Sequence, residues 1–467
     1  MPGSSGKEQG IPPAQAKPDA DKCISAESHK RQTASSGTDT ESGMFSVFVF
    51  LFYSERAVYE SKALRVDAYL REEESCRKGG TMKLLKVDTL AQARERLLEA
   101  AKECLPETEQ IALADASDRI LAEDIVSGEM IPAFRRSSVD GYAVCSKDTA
   151  GATGRIPGFL KVLEEVEIGH PAVSKIEPGT CAYVPTGGMV PEGADAMVMV
   201  EYSERFGTDE VALYENVPYG KCIVLPGEDV KTGDIVLKAG TRIGPAQAGT
   251  LAALGVVQVP VFKPWKVAVL STGDELVRID QVPGPGQVRD INTWALSCYV
   301  KKTGLELVLA EAVRDEEVLL EEKIREAVKA CDLILISGGS SQGKKDMTME
   351  ILNRISKEGV FTHGLALKPG KPTILGYDKE KNTLLGGLPG HPAAALAVFN
   401  LLFVWLWKQV TGQPDQPPLE AFMTTNLAGA PGKTTCLLVK LQMAPQGLEA
   451  EPIFGKSGLI STMAEAD

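Results

Sequence analysis

WKVAVLSTGDE (residues 265–275) begins the segment from which the fold class is predicted, and this segment continues to Pro392. It begins as a short apolar run rich in β-branched residues and ends in a small acidic loop. Further helices and strands follow in alternation: a helix over 292–302 that stops at Gly304, a strand over 305–310, a charged amphipathic helix over 316–329 and a strand over 332–336. This alternation predicts a parallel sheet covered by helices.

Two acidic loops rich in small residues follow strands of this predicted sheet directly. Asp274 follows the first strand, and Asp346 ends the loop SGGSSQGKKD (337–346) after the third. Because ligands bind at the carboxyl ends of parallel strands, we expect both carboxylates at one edge of the sheet. Such carboxylates suit a Mg²⁺ ion bridged to an anion, and the N–H groups of the glycine-rich loop suit phosphate. Lys368 and Lys371 would add point charges for phosphate or another oxyanion.

Each of these features also has an ordinary structural explanation. Paired glycines mark turns more often than ligand sites. Asp274 could cap the next segment, and the lysines could be solvated surface residues. Their coincidence at one sheet edge is what favours an anion-plus-metal site.

The composition fits a multidomain globular protein and narrows the partners. The 467 residues carry a formal net charge of −13, which argues against nucleic acid and against an anionic membrane. Nine cysteines are present without a C-x-x-C pair, so we expect reduced thiols and a cytoplasmic protein. The apolar run at 44–53 is too short to span a bilayer as a helix.

Four strings carry a resemblance to a known family: STGDEL (271–276), SGGSSQGKKD (337–346), LKPGKP (367–372) and LPGHP (388–392). They closely resemble the MoeA family, the molybdopterin molybdenumtransferases, to which the C-terminal domain of gephyrin is also related. Three upstream strings agree in the same order: SSVDGYAV (137–144), TGGMVPEGADA (186–196) and PGEDV (226–230). The likeness covers the chain from about Met82 to its C-terminus.

The resemblance implies a multidomain α/β fold with a molybdopterin-binding-like central domain built on a parallel sheet. The predicted parts are a disordered or unassigned leader at 1–81, an elongated first domain at 82–126 and 220–262, an inserted β-rich domain at 127–219, the central α/β domain at 263–411 and a C-terminal β domain at 412–467. The last domain is expected to be incomplete, because the family's final domain continues for several more strands. We assign the leader no function.

The activity that the resemblance implies is insertion of molybdate into adenylylated molybdopterin, which releases AMP and molybdenum cofactor with the help of Mg²⁺. Glu228, Asp274 and Asp346 would hold the metal, and Lys368 and Lys371 would attract molybdate and phosphate. Two further catalytic carboxylates would come from the inserted domain of a second subunit: Asp140 and Asp195. The substrate-binding residues would lie at the ends of the central strands: Thr272, Gly273, Ser337, Gly338, Gly339, Ser340, Gly343, Pro389 and Pro392.

The resemblance further implies a homodimer and a molybdopterin adenylyltransferase as a partner. Some residues depart from the family pattern: Arg135 and Arg136 stand where Asp-Asn is frequent, Lys344 where Glu is frequent and His391 where Asn is frequent. Two alternatives to the transferase therefore stay open. One is a pterin-binding module without turnover, and the other is a dimeric scaffold that binds a protein partner.

Overall fold

The computed structural model of the chain describes residues 48–49, 87–338, 345–357, 359–415, 417–427, 432–454 and 460–466. Apart from 48–49, the predicted leader lies outside the described residues. The loop residues Gly339, Ser340, Gly343 and Lys344 lie outside them as well.

The first segment contributes one helix and several short strands: β1 (Phe48–Val49), α1 (Leu90–Ala101), β2 (Thr108–Ala112), β3 (Ile125–Val126) and β4 (Arg136–Ser137). A capping box starts α1, because the Thr89 side chain accepts from the Gln92 N–H and the Gln92 side chain accepts in return from the Thr89 N–H. The apolar spacing of residues 87–104 predicts one helical face that includes Leu90, Leu97 and Leu98. Leu90 and Leu97 are buried, whereas Leu98 is 37% exposed because it lies at the margin of the buried stripe.

A six-stranded sheet is inserted after this segment. Its strands are β5 (Gly141–Val144), β6 (Gly158–Glu165), β7 (Thr180–Val184), β8 (Ala196–Met199), β9 (Ser203–Phe206) and β10 (Glu210–Leu213). They are arranged in the order β8-β5-β7-β6-β10-β9. Two hydrophobic clusters use alternate residues of the same strands, for example Tyr142 and Ala143, so both faces of the sheet are packed.

The chain then returns to its first segment through β11 (Ile223–Val224), β12 (Ile235–Leu237), α2 (Pro245–Ala253) and β13 (Gln258–Phe262). Each returning strand pairs antiparallel with an earlier one: β11 with β4, β12 with β3 and β13 with β2. Leu121, Leu251 and Val261 are fully buried in one cluster between the two segments. Residues 108–137 and 223–262 therefore form one structural unit, whereas α1 packs in the core of the central domain.

The central domain contains β14 (Lys266–Thr272), β15 (Leu276–Val277), β16 (Val288–Arg289), α3 (Asn292–Lys302), β17 (Glu306–Val313), α4 (Glu317–Ala327), β18 (Leu333–Gly338), α5 (Lys345–Ile355), β19 (Val360–His363), β20 (Leu367–Lys368), β21 (Ile374–Asp378) and β22 (Thr383–Leu388). Its main sheet has the order β17-β14-β18-β22-β21-β19. The first four strands are parallel, as predicted, whereas β21 is antiparallel to both of its neighbours. The sheet as a whole is therefore mixed.

One long helical segment packs beneath this sheet. It runs through α6 (Pro392–Val398), a π-helical stretch (Phe399–Val404) and α7 (Trp405–Val410). Among the described residues it is the one helix that length and composition would allow to cross a membrane, with 19 residues and a mean hydropathy of 1.5. However, 67% of its most apolar window is buried within the protein, and Phe399 and Phe403 are fully buried. The apolar run over 393–409 predicts a buried core helix rather than a membrane span, and this prediction is confirmed.

The C-terminal part consists of β23 (Phe422–Met423), β24 (Thr434–Leu437), β25 (Val439–Ala444), β26 (Gly447–Pro452) and α8 (Ile460–Glu465). β23, β26 and β25 form a small sheet, while β24 pairs with β20 of the central domain. The sequence predicted strands throughout this part, and α8 corrects that prediction. Met463, Ala464 and Glu465 favour a helix by intrinsic propensity.

Candidate active site

The carboxyl ends of the four parallel strands meet at one edge of the central sheet, here called the carboxyl edge. Thr272 of β14 lies opposite Val313 of β17 on one side and opposite Gly338 of β18 on the other. Ser337 of β18 in turn lies opposite Leu388 of β22. The loops that follow these strands are therefore neighbours, as the sequence predicted for the loops after β14 and β18.

Asp274 and Asp315 come together at this edge. The buried Thr272 hydroxyl donates to the Asp315 carboxylate, and the Asp315 N–H donates to Asp274 Oδ1 at 3.3 Å. Asp274 is exposed, so its carboxylate is accessible to a ligand. The sequence reasoning missed Asp315, although it follows the end of β17 in the same way that Asp274 follows β14.

A second network fixes the loops after β18 and β22. Asn292, the first residue of α3, donates from Nδ2 to Ser337 Oγ and to the Gly390 carbonyl, each at 2.7 Å. Ser337 Oγ donates to the Pro389 carbonyl at 3.2 Å. Ser337 and Pro389 were predicted as substrate-binding residues, and Asn292 was missed. The signal for Asn292 in the sequence is its place at the start of the helix that follows β14.

Gly338 allows the backbones of β14 and β18 to approach closely at the carboxyl edge. Its φ of +120° lies in a region that side chains disfavour, and a Cβ atom there would lie 2.0 Å from the Thr272 carbonyl oxygen. The backbones of β14 and β18 are therefore in close contact where the predicted glycine-rich loop begins.

The two predicted lysines come shortly before β21: Lys368 is the last residue of β20, and Lys371 lies in the loop that joins β20 to β21. Since β21 is antiparallel to β22 and its first residue, Ile374, lies opposite Gly387, this loop reaches the carboxyl edge. The Lys371 carbonyl accepts from the Leu365 N–H at 2.9 Å, while the side chains of Lys368 and Lys371 are exposed. The ammonium groups are thus accessible to an anion at the edge.

α6 starts at the same edge. Pro392 is its first residue, and both Pro389 and Pro392 are buried, so they shape the loop between β22 and α6. His391 is exposed, and its carbonyl accepts from the Ala395 N–H at 2.9 Å. Asp346 lies in the first turn of α5, which follows β18, but its side chain is outside the described residues.

Asp140 belongs to a different part of the molecule, at the start of β5. Its Oδ1 accepts from the Thr186 N–H at 2.7 Å, and this hydrogen bond lowers the pKa of the carboxyl group below its ordinary value. This hydrogen bond joins Asp140, a predicted catalytic residue, to the turn that begins at Thr186.

Glu228 lies close in the fold to the segment that leads to Asp140. Its side chain accepts from the Leu225 N–H at 2.7 Å within its own loop, which follows β11. β11 pairs with β4, and the Gly187 N–H donates to the carbonyl of Ser137 in β4 at 2.8 Å. The Asp140 turn and the Glu228 loop therefore flank β4 on its two sides.

Asp195 lies at the other end of β5 from Asp140. Its N–H donates to the Val144 carbonyl, and its Oδ1 accepts from the Ser146 N–H at 2.6 Å. The structure does not bring the Asp195 and Asp140 side chains together. A direct role for Asp195 in the chemistry stays a prediction from the family resemblance.

The donor chemistry of the carboxyl edge fits a magnesium ion shared with a substrate. Magnesium prefers oxygen ligands and is often held by one or two carboxylates together with substrate phosphates. Asp274 and Asp315 offer two such carboxylates in the loops that follow the adjacent strands β14 and β17. Within the described part of the chain, no three His, Cys, Asp or Glu side chains form a group that could hold a metal ion. Glu228 is held in its own loop, so its predicted metal role stays a prediction.

Two family models match the chain. One, the MoeA N-terminal region (domain I and II), matches residues 88–255, and the other, a probable molybdopterin binding domain, matches residues 268–408. The first therefore contains Asp140, Asp195 and Glu228, and the second contains the carboxyl edge.

Curated relatives and solved structures agree with these matches. The molybdopterin molybdenumtransferase of Haemophilus influenzae is 35% identical over 74% of this chain and 84% of its own length. That of Bacillus subtilis is 30% identical over 77% and 85%. The crystal structure of the molybdopterin biosynthesis MoeA protein from Pyrococcus horikoshii is 30% identical, covers 82% of this chain and 94% of its own, and superposes with a TM-score of 0.69.

Proposed function

The chain belongs to the MoeA family of molybdopterin molybdenumtransferases, and on that premise we propose that it inserts molybdate into adenylylated molybdopterin, releasing AMP and molybdenum cofactor. The observation that carries this proposal is the carboxyl edge. It combines two neighbouring carboxylates, Asp274 and Asp315, with the accessible ammonium groups of Lys368 and Lys371.

The reaction brings anions together, so the site has to offset their repulsion. Molybdate and the phosphate groups of the nucleotide both carry negative charge, and fixed cations at the edge stabilise their approach. Lys368 and Lys371 take this role, since their exposed side chains lie three residues apart at the end of β20 and in the loop after it. Asn292 and Ser337 hold the neighbouring loops in place for the pterin.

Asp274 and Asp315 would hold Mg²⁺, with Asp346 of α5 as a further ligand from the same edge. The ion, when bound, neutralises phosphate charge and polarises the phosphoryl oxygens. The two carboxylates orient it, because the Asp315 N–H fixes Asp274 and the Thr272 hydroxyl fixes Asp315. No covalent nucleophile is needed, so positioning and electrostatics carry the rate.

Asp140 and Glu228 lie on the first and inserted segments, apart from the network of the carboxyl edge. We assign them to the same reaction through a homodimer, in which these segments of one subunit face the carboxyl edge of the other. A molybdopterin adenylyltransferase would supply the adenylylated substrate in the cytoplasm. Support for the dimer comes from the family, and the oligomeric state of the purified protein tests it.

AMP release from adenylylated molybdopterin tests the function. We expect release that requires Mg²⁺ and molybdate in the wild type and that falls at least about a hundredfold in Asp274→Ala, since electrostatic groups at such sites contribute factors of this order. Asp209→Ala is a matched control, because Asp209 is an exposed aspartate of the inserted domain. Nucleotide binding without AMP release would instead favour the pterin-binding module. Absence of binding would favour the scaffold.

A further inference from the structure

The backbone of Arg136 pairs antiparallel with a different segment on each side, and each of these segments adjoins a predicted catalytic carboxylate. Its backbone lies opposite Val224 of β11 on one side and opposite Met189 on the other. Met189 follows the Thr186 turn that holds Asp140, and Val224 precedes the loop that holds Glu228. The Arg136 backbone therefore lies between the two segments that hold these carboxylates.

The guanidinium group of Arg136 has no partner in the part of the chain that the structure describes. The side chain is half-buried, yet none of the described residues forms a hydrogen bond or an ion pair with it. The nearby carboxylates are held elsewhere, since Asp140 accepts from the Thr186 N–H and Glu228 from the Leu225 N–H. The guanidinium N–H donors of Arg136 are therefore available to a ligand.

Arg135, the preceding residue, shows what a purely structural arginine does in the same place. Its guanidinium donates to the Ala194 and Pro191 carbonyls, each at 2.8 Å, and so fixes the loop before β8. Successive side chains of a strand point to opposite faces, and Ser137, next to Arg136, is buried. Arg136 therefore faces away from the side on which Ser137 is packed.

We propose that Arg136 binds an oxyanion of the reaction, either molybdate or a phosphate group of the nucleotide substrate. Five N–H donors in a fixed planar fork match the geometry of a tetrahedral oxyanion, and the charge offsets repulsion from Asp140 and Glu228. This role rests on the proposed function, which places those two carboxylates at the substrates.

Steady-state AMP release by the full chain tests the proposal, with adenylylated molybdopterin and molybdate varied separately. Arg136→Asn should raise the KM for at least one of the two substrates about tenfold or more, because a charge-assisted hydrogen bond is lost. The substrate whose KM rises identifies the oxyanion. Arg136→Lys should recover part of the loss, since it keeps the charge but not the fork.

Arg155→Asn is the matched control, because Arg155 is an exposed arginine between β5 and β6 of the inserted sheet. KM values for Arg136→Asn within about twofold of this control would overturn the proposal. So would an equal rise in both variants, which would indicate a general effect of net charge. Urea unfolding midpoints verify that each variant is folded, and Arg136→Lys decides the question if Arg136→Asn does not fold.

Calorimetric titration with molybdate alone and with AMP alone separates this proposal from the proposed function. If the wild type releases no AMP, the proposed function fails, but the titrations still measure oxyanion affinity. Weaker binding of either probe by Arg136→Asn than by Arg155→Asn would support the role of Arg136. Equal affinities of the two variants for both probes would overturn it.

Discussion

Asn292 Nδ2 lies 2.7 Å from Ser337 Oγ, and this hydrogen bond joins the start of α3 to the end of β18. The second Nδ2 hydrogen goes to the Gly390 carbonyl, which can only accept, so the orientation of the amide is fixed. The Asn292 Oδ1 atom is buried and has no hydrogen-bond partner among the residues that the structure describes. A side chain outside the predicted set thus ties together three elements of the carboxyl edge.

Asn292→Ala should destabilise the protein and weaken substrate binding. Two hydrogen bonds disappear, each worth about 0.5–1.5 kcal/mol, so we expect the free energy of unfolding to fall by about 1–3 kcal/mol. We also expect the Kd for adenylylated molybdopterin to rise by about tenfold, because the Ser337 and Pro389 loops lose their common anchor. Urea unfolding and equilibrium binding measure the two effects.

Asn292→Asp should be no better, since an oxygen that only accepts replaces the nitrogen that donates both hydrogen bonds. Unchanged binding in either variant would contradict the positioning role.

Asp315→Asn should weaken metal binding while the local structure persists. The amide keeps an acceptor for the Thr272 hydroxyl, and the Asp315 N–H that holds Asp274 is unaffected. Loss of one of two carboxylates should reduce the affinity for Mn²⁺, used as a spectroscopic substitute for Mg²⁺, by about tenfold to a hundredfold. Electron paramagnetic resonance with AMP present measures this directly. Glu322→Gln on the exposed surface of α4 is the control. Equal Mn²⁺ affinity in the two variants would exclude Asp315 as a metal ligand.

Gly338→Ala should be strongly destabilising. The new Cβ atom would lie 2.0 Å from the Thr272 carbonyl oxygen, and the φ of +120° would have to change. We expect a loss of about 2–4 kcal/mol in the free energy of unfolding, from strain and from separation of β14 and β18.

Gly249→Ala in α2 is the control. Apart from the backbone of its own helix, no described atom lies within 4 Å of the position that the new Cβ would take. That change should stabilise the helix by about 0.5–1 kcal/mol. Similar effects at the two sites would show that the close contact is relieved at low cost.

Asp140 should contribute to stability at neutral pH and lose this contribution in acid. Its folded-state pKa is lowered, chiefly by the hydrogen bond from the Thr186 N–H. A group of this kind stabilises the fold fully above its unfolded pKa of about 3.9, and the contribution fades as the pH falls through the lower folded value. The difference in unfolding free energy between wild type and Asp140→Asn should therefore be constant near pH 6 and shrink below about pH 4. Urea unfolding at several pH values measures it. A difference that stays constant down to about pH 3 would show that the hydrogen bond does not act on the charged form.

Local sequence patterns were sufficient to predict the elements of the central domain and several residues of its carboxyl edge. The alternation of apolar runs and amphipathic segments located β14, α3 and β18, and α3 has the predicted bounds of 292–302. The order of strand followed by small acidic loop also indicated Asp274 and Ser337. These features are local, since they depend on side-chain periodicity and on what immediately follows a strand.

Which residues distant in sequence come into contact depends on the tertiary structure. Asp315 reaches Thr272 because β17 and β14 are neighbours, and Asn292 reaches Ser337 because α3 starts where β18 ends. Likewise Asp140 meets Thr186, 46 residues away, because β5 pairs antiparallel with β7. Strand order is set by how the whole hydrophobic core packs, and no local periodicity encodes it. For that reason the sequence indicated where the carboxyl edge would be, and the fold determined which side chains complete it.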